Sequence, residues 1–264
     1  MSKMFDSLRR AEAERRRRGD RAEQAPEHPV IEPAPLAPLE LPAHPAAAGL
    51  PVPLAGEFLR ELGILRNSLD AALGERRRPV ILFASAVAGE GATTLATAYA
   101  RLLALEGSGR VLLVELNARR PALAERLGVQ PGDGSTHYFT EARPLSSVTQ
   151  RLANAPGLDV MTAGSPDPVK IQLNLERRFP KLVEEARRAY DAVVLDAAPV
   201  TTSPETPPLA ALVDGVVLVV QSGRTKRQVV QRAMAMIAQF EGTLLGVVLN
   251  RKKYFIPEFI YRRL

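Results

Sequence analysis

Six short apolar runs, at residues 80–85, 111–115, 158–162, 192–196, 216–221 and 244–250, are separated by longer amphipathic segments, and this alternation restricts the chain more than any other feature. Strands that are apolar throughout must be covered on both faces. The set therefore reads as a parallel sheet wrapped by helices, an α/β fold. Helices are expected at 93–105, 121–127, 171–189, 207–212 and 225–240, and a helical pattern (Phe58, Leu62, Leu65, Leu69, Leu73) precedes the first run. Residues 128–156 read as loop with little regular structure.

The folded body expected from this pattern spans residues 56–250. Ahead of it, residues 1–24 carry an apolar stripe (Met1, Met4, Phe5, Leu8, Ala11) between charged residues, the pattern of an amphipathic helix that ends at Gly19 and Asp20. It suits docking on a protein partner; the run of arginines at 15–18 leaves an anionic membrane surface as the alternative. Residues 25–55 hold nine prolines between 26 and 53 and are expected to form a semi-extended tether, because proline removes backbone donors. Residues 251–264 form a basic tail with Tyr254 and Tyr261 among Phe255, Ile256, Phe259 and Ile260. Docking or packing of this tail and phosphorylation of its tyrosines both remain open readings.

Of the net charge of +6, residues 1–24 hold +3 and residues 251–264 hold +4, so the body and tether carry −1. A neutral body with basic ends argues against a nucleic-acid-binding face on the domain. The absence of cysteine excludes disulfides, thiolate metal sites and a cysteine nucleophile. His28, His44 and His137 have no partner at ligand spacing, which argues against catalytic zinc. Without an apolar run of about 18 residues or a secretory leader, the chain is expected in the cytoplasm, with membrane contact only peripheral or through a partner.

The first apolar run leads into Ser85-Ala-Val-Ala88-Gly89-Glu90-Gly91-Ala92-Thr93-Thr94 and then a helix, the order of a P-loop. Gly89 and Gly91 let backbone amides curl around an anion, the following helix presents unpaired N–H groups, and Thr93 stands where a hydroxyl would hold Mg²⁺. The phosphate-binding lysine is missing, because its position is Ala92. No lysine lies between Lys3 and Lys170, so Arg101, Arg119, Arg120 or a partner's arginine would have to substitute.

From about residue 54 onward these motifs resemble the bacterial tyrosine kinases of capsule and exopolysaccharide export, within the MinD/ParA group of P-loop proteins. That family's loop reads Ser-x-x-Pro-Gly-Glu-Gly-Lys-Ser/Thr-Thr, with Ala88 and Ala92 as the departures here. Its second acidic motif, Asp-x-Asp-x-Arg-Lys-Pro, is matched by Glu115-Leu-Asn117-Ala-Arg119-Arg120-Pro121, with both aspartates changed. Its third, after an apolar strand, is matched by Asp196-Ala-Ala-Pro199-Val200. The resemblance implies Asp196 as the second Mg²⁺ ligand beside Thr93, and Asp196, Glu115 and Asn117 as a degenerate catalytic set. It implies residues 88–94 as a nucleotide cradle and Asn250 beside an adenine, with a strand-end cap as the alternative for Asn250. Val87 replaces the signature lysine of the partition ATPases. Glu57 and Arg60 keep two of the three positions of the family's oligomerisation motif, with Arg66 one turn further on; a solvated helix face explains them equally.

The expectation is a P-loop sheet with helices on both faces, a degenerate kinase of the pseudokinase type. It would regulate polysaccharide polymerisation and export through a membrane co-polymerase or chain-length protein at the inner membrane, binding ATP or ADP with Mg²⁺ weakly or not at all and not binding nucleic acid. An active tyrosine autokinase and a MinD/ParA-like positioning ATPase are the alternatives.

Overall fold

The computed structural model describes residues 46–47, 56–107, 109–130, 132–164 and 168–252. The amphipathic stripe of residues 1–24, most of the tether and both tail tyrosines lie outside the described residues. By internal contacts the chain divides into Met1–Ala37, which lies wholly outside them, and Pro38–Leu264.

The second unit contains one eight-stranded sheet among its described residues. Its strands are β1 (Ala46–Ala47), β2 (Val80–Ser85), β3 (Val111–Glu115), β4 (Gln150–Leu152), β5 (Leu158–Met161), β6 (Ala192–Asp196), β7 (Gly215–Gln221) and β8 (Leu244–Asn250). The helices are α1 (Gly56–Leu73), α2 (Ala92–Leu105), α3 (Leu123–Leu127), α4 (Ser135–Glu141), α5 (Pro168–Ala189), α6 (Thr206–Leu209) and α7 (Arg227–Gln239). The strand order is β1-β4-β5-β3-β6-β2-β7-β8, and every pair is parallel except β4 with β5.

Strand alternation sends side chains to two separate cores. Val80, Leu82 and Ala84 of β2 join Leu112 and Val114 of β3 against Phe179, Leu182 and Ala186 of α5 and Ile237 of α7. Ile81 and Phe83 join Val111 and Leu113 against Leu62 and Leu69 of α1, Leu95 and Tyr99 of α2, and Leu123 and Leu127 of α3. This is the two-faced burial that the continuous apolar runs require.

One expectation is corrected, and two details are added to the expected fold. The segment 128–156 is not plain loop, since it holds α4, a 3₁₀ turn at Leu145–Ser147 and β4. The apolar positions of α4, Tyr138 and Phe139, are buried, but seven residues are too few to display a helical period. The sheet is mixed rather than purely parallel, because β4 returns to β5 through a short connection that only an antiparallel pair can use. Finally, Ala46–Ala47 of the tether pair in parallel with β4 at the sheet edge; an edge strand tolerates neighbouring prolines that an inner one would not.

Candidate nucleotide site

The carboxyl ends of β2, β3 and β6 meet where the chain leaves β2 for the far side of β6, the switch point at which doubly wound sheets hold ligands. A cleft of about 500 Å³ opens there, lined by the loop before α2, by Asn117 and the arginines that follow it, and by Ala197, Pro199, Thr202 and Ser203 after β6. Ala88, Gly89, Gly91, Ala92 and Thr93 all border it. Gly91 caps α2 with φ 98°, the first-turn amides of that helix have no intrahelical partner, and Ala92 and Thr93 of that turn line the cleft.

Two side chains fix this loop from outside. The Glu90 carboxylate, 2% exposed, accepts hydrogen bonds from Val87 N–H at 2.8 Å and Gln221 N–H at 3.1 Å, and from the Thr225 hydroxyl. Its side chain is therefore a pin to β7 and not a phosphate contact. Asn250 Nδ2 donates to the Glu90 carbonyl at 2.7 Å, while its Oδ1 accepts from Arg251 N–H at 2.8 Å. The residue thus closes the loop from the end of β8, with both polar ends engaged. An alanine Cβ at position 91 would stand 2.2 Å from Asn250 Nδ2 in a left-handed backbone. Gly91→Ala is expected to cost about 1–2 kcal/mol from the backbone alone, plus the collision. Thermal melting checks this, and an unchanged melting temperature would contradict it.

The two buried carboxylates of the site sit side by side, Glu115 paired in register with Asp196, each 1% exposed, but their partners differ completely. Glu115 accepts from the N–H groups of Ala122 and Leu123 (3.0 Å) at the start of α3, and of Ala163 (2.9 Å) after β5. Burial raises its carboxyl above the ordinary range, and the three amides and Arg126 counter this only in part. Its side chain ties the start of α3 and the end of β5 to β3. Neither oxygen of Asp196 completes a hydrogen bond of ordinary geometry. Burial pushes its carboxyl up to about 8, with Thr93 beside it and Arg126 easing the charge and Glu115 opposing it. A buried, unpartnered carboxylate next to a hydroxyl fits a hydrated magnesium ion, which prefers one or two such oxygens and keeps its waters. Thr93 and Asp196 are the residues that would hold it; among the described residues no group of three or more carboxylate or histidine ligands gathers.

Asn117 borders the cleft, and its side-chain oxygen accepts from Arg120 N–H at 3.3 Å. Of the arginines expected as substitutes for the missing lysine, Arg101 is buried in α2 and does not reach the cleft, whereas Arg119 and Arg120 line it. Arg126 and Arg251 line it too, and sequence reading had not singled them out. Both stand outside the motifs, and only the fold brings them to the loop. On α1, Glu57 and Arg60 are solvent-exposed, while Arg66 is held by Asp70 and by Glu106 at 3.2 Å within the same chain.

No protein-family model matches the chain. The tyrosine-protein kinase YwqD of Bacillus subtilis (strain 168) is 29% identical over 189 residues, covering 72% of this chain and 79% of that protein. The kinase domain of VpsO has 27% identity and a TM-score of 0.63, covering 75% of this chain and all of that domain. The chain is a homologue of bacterial tyrosine-protein kinases. The succinoglycan biosynthesis transport protein ExoP of Rhizobium meliloti (strain 1021) is 31% identical over 188 residues, 69% of this chain but only 23% of that longer protein. Among the described residues no helix is long and apolar enough to cross a membrane.

Proposed function

We propose that this protein is a pseudokinase-type regulator of capsule or exopolysaccharide polymerisation and export. It would hold a nucleotide in the cleft without passing the terminal phosphate to a tyrosine, and act through contacts with a membrane chain-length or co-polymerase protein at the inner membrane. The observation that carries this reading is the commitment of Glu115 to three backbone amides while position 92 carries only a methyl group. Phosphoryl transfer is achieved by charge placed at the transferring group and by a base for the acceptor hydroxyl. Here the loop lysine is absent, the carboxylate at 115 is buried against three backbone amides, and the amide of Asn117 cannot take a proton. The resemblance of the chain to ExoP supports the link to polysaccharide export, and the kinase relatives support a nucleotide as the cleft's occupant.

In this reading the amides of the loop and of α2 receive phosphate oxygens, Thr93 and Asp196 orient a magnesium ion, and Asn250 with Glu90 keeps the loop rigid. Magnesium, when bound, supplies charge neutralisation on the phosphates. Glu57 and Arg60 are available to a second copy, and the protein has no role on nucleic acid.

Purified protein with Mg-ATP is expected to place no phosphate on Tyr254 or Tyr261 above an Asp196→Ala background. Ala92→Lys should gain nucleotide affinity, by a charge-assisted hydrogen bond worth roughly 1.5–3 kcal/mol, and still transfer little. Robust tyrosine phosphorylation by the wild type would overturn the reading; by that single variant, it would contradict the weight given to Glu115 and Asn117. The arginines lining the cleft favour an active autokinase as the second reading. Nucleotide-dependent binding to DNA or bare liposomes would point instead to a positioning ATPase.

A further inference from the structure

The cleft of this protein has lost its lysine but not its positive charge, because four guanidinium groups border it: Arg119, Arg120, Arg126 and Arg251. They are not equivalent. Arg119 is tied to Glu205, its Nε 3.1 Å from the carboxylate. Arg251 sits at the outer lip, on a left-handed residue with φ 56°, its Nη1 3.5 Å from the Gln221 side-chain oxygen. Arg120 extends from the turn closed by Asn117. Arg126 bonds the first turn of the helix that follows the phosphate loop, donating from Nη1 to Thr94 Oγ1 at 2.9 Å. Thr94 belongs to the first turn of α2, where unpaired amides gather and where a phosphate would lie.

The base of Arg126 is also held firmly. It projects from α3, where Leu123 and Leu127 are fully buried and the Glu115 carboxylate binds the amides of Ala122 and Leu123. A guanidinium has five N–H donors, and the contact with Thr94 uses one of them. The rest of the fork is left for oxygens of a bound anion, in the planar geometry that suits phosphate.

We propose that Arg126 supplies the phosphate-binding cation of this cleft, reaching from α3 to the phosphates of a nucleoside di- or triphosphate in place of the lysine absent at Ala92. The anchor at Glu115 serves as its positioning residue, so that the two departures from the kinase motifs form one substitution: the carboxylate fixes α3, and α3 delivers the charge. From that side the cation can bind phosphate without standing within the loop where a lysine follows the transferring group. The inference rests on the reading of the cleft as a nucleotide site.

Calorimetric titration of the full chain with MgADP, and separately with pyrophosphate, tests it. Arg126→Gln is expected to weaken both ligands by about tenfold or more, the loss associated with one charge-assisted hydrogen bond. Arg126→Lys should restore part of the loss, and adding Ala92→Lys to Arg126→Gln should restore more. Arg143→Gln removes the same charge at an exposed site paired with Glu141 and Asp133, and should change nothing. If the Gln variant fails to fold, Arg126→Met, which keeps the aliphatic stem, carries the same test. Wild-type-like affinity in a folded Arg126→Gln or Arg126→Met variant would overturn the inference and leave the nucleotide reading intact. Binding by Ala92→Lys but not by the wild type would also overturn it. Binding by neither would remove the nucleotide reading itself, and this inference with it.

Discussion

Glu115→Ala is expected to destabilise the protein by about 3–5 kcal/mol, among the largest effects of any single substitution in the site. Three backbone N–H groups would lose their acceptor, and each buried unpaired donor costs about 1–3 kcal/mol. Part of this is recovered, because the carboxylate itself is costly to bury, as its raised ionisation shows. Glu115→Gln should be milder, since the amide oxygen still accepts while its NH₂ end faces a donor. Urea unfolding of the two variants measures the difference. A loss below about 1 kcal/mol for alanine would show that the carboxylate does not hold α3 and the end of β5 together.

The neighbouring carboxylate is expected to behave in the opposite way. With its oxygens unpartnered and its carboxyl pushed up to about 8 by burial, Asp196 opposes folding whenever it is ionised. In the unfolded chain it ionises near 4, so between about pH 4 and 8 the folded state holds the proton more tightly. This group's contribution is thus most favourable below about pH 4 and is lost as the pH rises towards 8 and beyond; each unit of separation is worth about 1.4 kcal/mol. In chelator, with no metal present, Asp196→Asn should be more stable than the wild type at pH 8–9 by several kcal/mol, and the gap should close towards pH 5. Denaturant midpoints of the two proteins across that range provide the check. Equal midpoints at high pH would mean that the carboxylate finds a partner within the chain. On the proposed reading, the stabilised variant should bind magnesium and nucleotide less well, the exchange expected when a polar group is buried for a ligand rather than for the fold.

Side by side in register and equally buried, Glu115 and Asp196 look alike in the sequence, as single acidic residues at the ends of apolar runs. What separates them is the destination of other backbone segments. The amides of Ala122 and Ala163 come to the end of β3 only when α3 turns back over the strand and β5 docks beside it. The same holds for Glu90, whose partners at Gln221 and Thr225 are more than a hundred residues away, and for Asn250, which reaches Glu90 from the last strand. Reading the loop residues as ligand contacts treats every polar side chain as facing the cleft, and the sheet turns these outward.

The sequence by itself determined the architecture: the continuous apolar runs read as strands of a helix-covered sheet, a Gly-x-Gly turn between strand and helix reads as a cradle of amides, and the alanine at 92 removes a charge whatever surrounds it. These are local facts, written in periods of a few residues and in the identity of one side chain. The tertiary structure decided which carboxylate is an anchor and which is left open, placed Arg126 and Arg251 on the cleft, and set β4 antiparallel at the edge. Each of those depends on a partner brought from far along the chain. A hydrogen bond or an ion pair is assigned only when both of its ends have been positioned.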